Sequence, residues 1–144
     1  MNLLDKEVVL LAVNDSTETG TDDTNDGTHW SLLVYSKQAR EFFHLDSLSG
    51  RNSDHASLLS RRLHAYLTRE TKQDFPLRVN EVPVLQQGNG YDCGVHVLCN
   101  AEHCARHFML YGRANGLEML DQATVKGMRA RILALAQELS QAKL

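Results

Sequence analysis

No apolar run in this chain approaches the roughly 18 residues that a membrane-spanning helix needs, so a membrane is not an expected partner. Charge of one sign is also missing: 15 Lys and Arg against 18 Asp and Glu give a net charge of -3. That balance argues against a broad phosphate-binding surface and against nucleic acid as a partner. Cysteine is confined to three positions. An odd count, behind opening residues without a basic and apolar secretory pattern, predicts a reducing compartment, cytoplasmic or nuclear. There is no Gly-rich phosphate loop with its lysine, no internal repeat and no Cys-x-x-Cys pair. Cys93, His96, Cys99, His103, Cys104 and His107 crowd one predicted helix but point in several directions around it, so no metal is expected. At 144 residues with 42% hydrophobic content, the chain fits one domain, residues 1–144.

What is present centres on Gln86-Gln87-Gly88-Asn89-Gly90-Tyr91-Asp92-Cys93-Gly94. Gly88, Asn89 and Gly90 form turns. Val97, Leu98, Ala101, Cys104, Ala105 and Phe108 then recur at helical spacing. The run delivers Cys93 to a helix start, where the positive end of the macrodipole and unpaired N–H groups stabilise a thiolate.

Upstream, Ser31 to Tyr35 and Glu41 to Leu45 read as two strands joined by Ser36-Lys37-Gln38-Ala39-Arg40, a hairpin. With the loop centred between Lys37 and Gln38, Ser31 faces His44, Leu33 faces Phe42, and His29 faces Asp46. Side chains directly opposite have Cβ atoms roughly 5 Å apart on one face, within reach of an imidazole to carboxylate hydrogen bond. An imidazole oriented by Asp46 through one nitrogen can use the other to take the Cys93 proton. His29, Asp46 and Cys93 are therefore the expected triad.

The remaining pattern supplies a scaffold. Val8 to Val13 reads as a strand. Asn14 to Thr28 carries Asp15, Glu18, Asp22, Asp23 and Asp26 among small polar residues and reads as a connector leading into His29, with a lid or specificity loop as the alternative. Leu58, Leu59, Leu63, Tyr66 and Leu67 predict an amphipathic helix from Asp54 onward. Val79 to Val84 predicts a short strand with Pro83 near its end. Val125, Met128, Ile132, Leu135 and Leu139 predict a second amphipathic helix whose stripe packs in the core; an exposed stripe would instead mark a partner surface.

Gly27-Thr28-His29-Trp30-Ser31-Leu32-Leu33-Val34-Tyr35, Phe42-Phe43-His44-Leu45-Asp46-Ser47 and Gln87 to Gly94 together resemble the Ulp-type, sentrin-deconjugating cysteine proteases. The second run and the pair Tyr91-Asp92 before Cys93 are most similar to the deneddylase branch. The resemblance implies an α+β, papain-like (Ulp-type) fold with a short mixed sheet and packed helices. It implies that His29 is the base, Asp46 its orienter and Cys93 the nucleophile. Gln87 would donate to the oxyanion, with Gln86 as competitor, worth a few kcal/mol to an acyl-transfer transition state. Trp30 would wall a channel for the Gly-Gly tail of a ubiquitin-like modifier, or be a core aromatic; Asp92 would contact substrate. The implied function is a thiol protease or isopeptidase for the modifier of the neddylation pathway and its conjugates such as cullins. Relatives carry a substantial segment before the strand at Val8, so the resemblance also implies an N-terminally truncated domain. The alternatives are a catalytically inactive modifier-binding adaptor and, on a related His-acid-Cys order, an acyl transferase.

Overall fold

Leu32-Leu33-Val34-Tyr35 is an unbroken apolar run, the pattern of a strand covered on both faces. In the computed structural model, which describes residues 2–16, 27–113 and 116–142, that run is buried throughout. It lies within β2 (Trp30–Ser36), which is flanked by β1 (Val8–Asn14) and β3 (Glu41–Leu45); α1 (Ser53–Thr71) crosses to β4 (Val79–Val82), and α2 (Cys93–Tyr111) and α3 (Gln122–Gln141) follow. The sheet order is β1-β2-β3-β4. β1 and β3 are antiparallel to β2, while β4 runs parallel to β3, so the sheet is mixed and the fold α+β, as expected.

Alternation along β2 sends its side chains to opposite faces. Leu33 and Tyr35 join Val13, Phe42, Ala56 and Leu67 on the α1 side, with Leu59, Leu63 and Tyr66 of α1 packed against them. Leu32 and Val34 join Leu45 and Val84 on the α2 side, against Val97, Ala101 and Cys104. Full burial of a Leu or Phe is worth roughly 1.5–3 kcal/mol, which makes β2 the strand that holds both layers to the sheet. α3 adds a smaller cluster in which Val125 and Met128 meet Val95 and Cys99 of α2.

Two expectations need correction. In the hairpin Leu33 pairs with His44 and Ser36 with Glu41, not Leu33 with Phe42. The loop is the four residues Lys37 to Arg40, and it closes with Arg40 in the left-handed region at φ 55°. The partner of each β2 residue is thus displaced by two positions, which preserves the face on which every side chain lies. The α3 stripe is also half right. Val125 and Met128 are buried, but Ile132, Leu135 and Leu139 are exposed, because α3 runs past the part of α2 that covers its first turns. Residues 17–26, which hold most of the acidic connector, lie outside the described residues.

Candidate active site

His29 precedes β2 directly and is 2% exposed. Its Nε2 lies 2.6 Å from Asp46 Oδ1. Asp46 follows the last residue of β3, and two backbone groups also donate to its carboxylate: Leu48 N at 2.9 Å and Asn52 N at 3.0 Å. The chain thus turns around the carboxylate between β3 and α1, and the oxygens are fixed from three directions. The contact that was expected from direct pairing is made diagonally, since the register that pairs Leu32 with Leu45, continued one step, sets Ser31 rather than His29 opposite Asp46. Preserved facing is what allowed it.

Asp15, which the sequence places in the acidic connector, holds the other side of His29. Its carboxylate accepts from Thr28 Oγ1 at 2.8 Å and from the His29 backbone N–H at 2.8 Å. Burial pushes the Asp15 carboxyl up, but the hydrogen bonds from His29 and Thr28 outweigh it and hold it below the ordinary aspartate value.

The parallel pairing of β3 and β4 brings the run after β4 to the same end of the sheet as Asp46. Gln87 N donates to Ser47 O at 2.8 Å, and Gln86 Nε2 donates to Asp46 O at 3.1 Å, so this segment is stitched to the residues beside the orienter. The two glutamines differ in what they have left to give. An amide nitrogen carries two hydrogens. Those of Gln86 go to Asp46 O and, at 3.0 Å, to Val84 O. Gln87 accepts from the Ser47 hydroxyl through Oε1 at 2.7 Å and spends one hydrogen on Asn89 O at 2.7 Å. One Gln87 hydrogen remains, which favours Gln87 over Gln86 as a side-chain donor to a developing oxyanion.

Asn89 organises the turn that delivers the thiol. Its Oδ1 accepts from Tyr91 N at 3.1 Å and Asp92 N at 3.0 Å, the Asx geometry that makes asparagine a turn former. Cys93 is then the first residue of α2, 7% exposed. N–H groups in a first helical turn have no carbonyl one turn back, so they are available to an anion. Trp30, adjacent to His29, is 44% exposed, which removes the core reading for it. The carboxylate of Asp92, expected on substrate, is held within the chain: Asn89 Nδ2 donates to it at 2.7 Å and Arg129 Nε of α3 at 3.1 Å. Those two partners hold its carboxyl below the usual aspartate value. His96, one turn into α2, is buried, and that burial lowers its proton affinity despite the Asp92 charge nearby. Ser47, Asn52 and Asp15 were not singled out from sequence as parts of this site. The signal that could have found Ser47 and Asn52 is the short polar turn they bound directly after the orienter, and for Asp15 it is the acidic connector that leads into His29.

A cysteine at a helix start, and an imidazole bonded to an orienting carboxylate, are the parts that a thiol-nucleophile hydrolase needs. The profile of the Ulp1 protease family, C-terminal catalytic domain, matches residues 2–144, and the chain belongs to that family. It is similar to human sentrin-specific protease 8, 40% identical over 129 residues that cover 90% of this chain and 58% of the relative. NEDD8-specific protease 1 of Arabidopsis thaliana is 34% identical over 146 residues, 96% of this chain and 62% of the relative. The chain thus spans roughly three-fifths of the length of these relatives. Among solved structures, the C-terminal Ulp1 protease domain in complex with Smt3, the yeast ortholog of SUMO, superposes with a TM-score of 0.54 at 26% identity, covering 85% of this chain and 48% of that one.

Proposed function

We propose that this chain is a thiol isopeptidase and processing peptidase that cleaves after the C-terminal Gly-Gly of a ubiquitin-like modifier, with the modifier of neddylation as its preferred substrate. The carrying observation is the bond from His29 Nε2 to Asp46, which leaves Nδ1 as the ring nitrogen for the thiol. The names of the two sequence relatives, a sentrin-specific and a NEDD8-specific protease, favour this substrate class. Conjugates such as neddylated cullins, met in cytoplasm or nucleus, are the expected macromolecular substrates.

The chemistry runs without a cofactor. His29 Nδ1 takes the Cys93 proton, and the thiolate attacks the carbonyl carbon of the terminal glycine. Negative charge then develops on that oxygen. The remaining Gln87 hydrogen and the Cys93 backbone N–H stabilise it, a contribution of about 3–4 kcal/mol for one such donor. Collapse breaks the C–N bond, His29 returns its proton to the leaving amine, and a thioester remains on Cys93. Water, deprotonated by His29, releases the modifier. Trp30 offers an exposed apolar face beside the base, suited to cover an extended Gly-Gly tail that has no side chains of its own to pack.

The test is incubation with propargyl or vinyl-sulfone forms of several ubiquitin-like modifiers, read by intact mass beside Cys93→Ala. A single adduct on wild type, absent from the variant and fastest with the neddylation modifier, is the expected result. No adduct on demonstrably folded protein overturns the reading and leaves a modifier-binding adaptor in its place.

A further inference from the structure

Under the His29 and Asp46 pair lies a second hydrogen-bonded chain that the chemistry above does not use. Ser31, His44 and Asn52 are 1%, 0% and 0% exposed. Asn52 Nδ2 donates to Val13 O at 3.2 Å and to Ser31 Oγ at 3.1 Å. Ser31 Oγ lies 2.9 Å from His44 Nε2, and His44 Nδ1 lies 2.8 Å from Glu81 Oε2 on the adjoining strand. Glu81 Oε1 also accepts from the Ser53 hydroxyl at 2.9 Å.

The polarity of the chain is fixed from both ends. A carbonyl can only accept, so Val13 O orients the Asn52 amide with its nitrogen toward Ser31. Ser31 Oγ therefore accepts from Asn52. At the other end the Glu81 carboxylate also only accepts, so neutral His44 carries its proton on Nδ1 and donates it to Glu81, and its Nε2 accepts the Ser31 hydrogen. Every group between Asn52 Nδ2 and Glu81 is satisfied in this arrangement. The grouping of serine, imidazole and carboxylate is not a second nucleophile, because Ser31 and His44 are closed to substrate.

Its two ends converge on two consecutive residues. Asn52 is tied to Ser31 and Val13, Ser53 is tied to Glu81, and the Asn52 backbone N–H is one of the donors to Asp46. We infer that Ser31, His44 and Glu81 are positioning residues that clamp the start of α1, so that the Asn52 N–H holds the Asp46 carboxylate in register with His29. The inference rests on the thiol chemistry proposed above for its kinetic consequence, and on the bonds just given for its structural one. A small displacement of an orienting group is enough to matter, since about 1 Å of misplacement costs on the order of 100-fold in rate.

Four variants test it: Ser31→Ala, Ser31→Thr, Glu81→Ala and Glu81→Gln. Two readouts are taken on each, kcat and KM on a fluorogenic C-terminal amide of the neddylation modifier, and the imidazole N–H resonance of His29 by NMR, assigned by its loss in His29→Gln. Ser31→Ala is expected to lower kcat roughly 10- to 100-fold with KM unchanged and to move the His29 resonance, while Ser31→Thr, which keeps the hydroxyl, restores both. The Glu81 side chain is 54% exposed, so Glu81→Ala folds even if the buried serine variant does not. It is expected to lower kcat several-fold, and Glu81→Gln, which retains an acceptor, to stay near wild type. Folded Ser31→Ala or Glu81→Ala with kcat and resonance both unmoved would overturn the inference, as would a loss of kcat with the resonance unmoved. If wild type turns over no modifier substrate, the thiol-protease reading fails by itself. The His29 resonance in the same variants then decides the positioning claim: a shift supports it and no shift sinks it.

Discussion

At the scale of single residues, the sharpest distinction is between neighbouring glutamines with the same side chain. Gln86 fastens a strand end to Asp46 and Val84 carbonyls, whereas Gln87 retains a donor. Gln87→Ala is therefore expected to cut kcat on a modifier amide by roughly 100- to 1,000-fold, besides about 1 kcal/mol of stability for its bonds to Ser47 and Asn89. Gln86→Ala is expected to lose a similar amount of stability by leaving the Asp46 and Val84 carbonyls short of a donor, and far less of its turnover. Equal kinetic losses in the two variants, measured beside urea titrations, would refute the assignment. The family resemblance pointed to Gln87 with Gln86 as competitor; what separates them is a count of amide hydrogens, which needs the partners to be known. The same holds for His29 and Asp46. Their proximity was legible from alternation in a hairpin, and it survived a wrong register because the error was an even number of residues.

Among the elements, α3 is attached to the rest of the molecule by apolar packing at its start and by two ion-paired contacts further along. Arg129 reaches Asp92, and Arg131 reaches Glu102 of α2 at 2.9 Å, where Arg106 also bonds Glu102 at 2.8 Å. The hydrogen bonds from Arg131, then those from Arg106, hold the Glu102 carboxyl down to about 2 against an ordinary value of 4.5. A depressed folded-state value means that this tie contributes stability above the unfolded value and loses it as the pH falls toward the folded one. The difference in urea midpoint between wild type and Glu102→Gln is thus expected to be flat from pH 7 to about 5, then to shrink and vanish near pH 2. A difference that stays constant down to pH 2 would show that the pair has no part in holding α3. The existence and type of all three helices could be read from periodicity. How far along α3 the core extends could not, because a hydrophobic stripe records only that one face is apolar and says nothing about what lies opposite it.

For the whole molecule, the order of the sheet divides the site by sequence distance. The base and orienter come from a hairpin whose strands are joined by Lys37 to Arg40, while Gln87 and Cys93 arrive after the chain has crossed through α1 and added β4 beside β3. Local pairings form ahead of those that must first close a long loop. In pulse-labelled refolding, amide protection in β2 and β3 is expected to precede that in β4, and reactivity of Cys93 toward an electrophilic modifier probe to appear with β4 or later. Probe reactivity that arrives together with the hairpin would contradict this order. Mixed topology was implied by the family resemblance, but the parallel partner of β3 was not identified, since a four-residue strand such as Val79 to Val82 carries no signal of direction.

The β3 to β4 pairing also acts as a measure of length. Leu45 is matched to Val82, Asp46 is the next residue on one strand, and Gln87 follows a fixed few residues later on the other. A sheet advances about 3.3 Å per residue, so insertion or loss of one residue between Val82 and Gln87 would carry the donor past the carbonyl it is to serve, with every catalytic side chain still present. The spacing of this segment is therefore under as tight a constraint as the identity of the residues in it, and a chain with an intact triad but an altered count here would be a binder of its substrate and no longer a cutter.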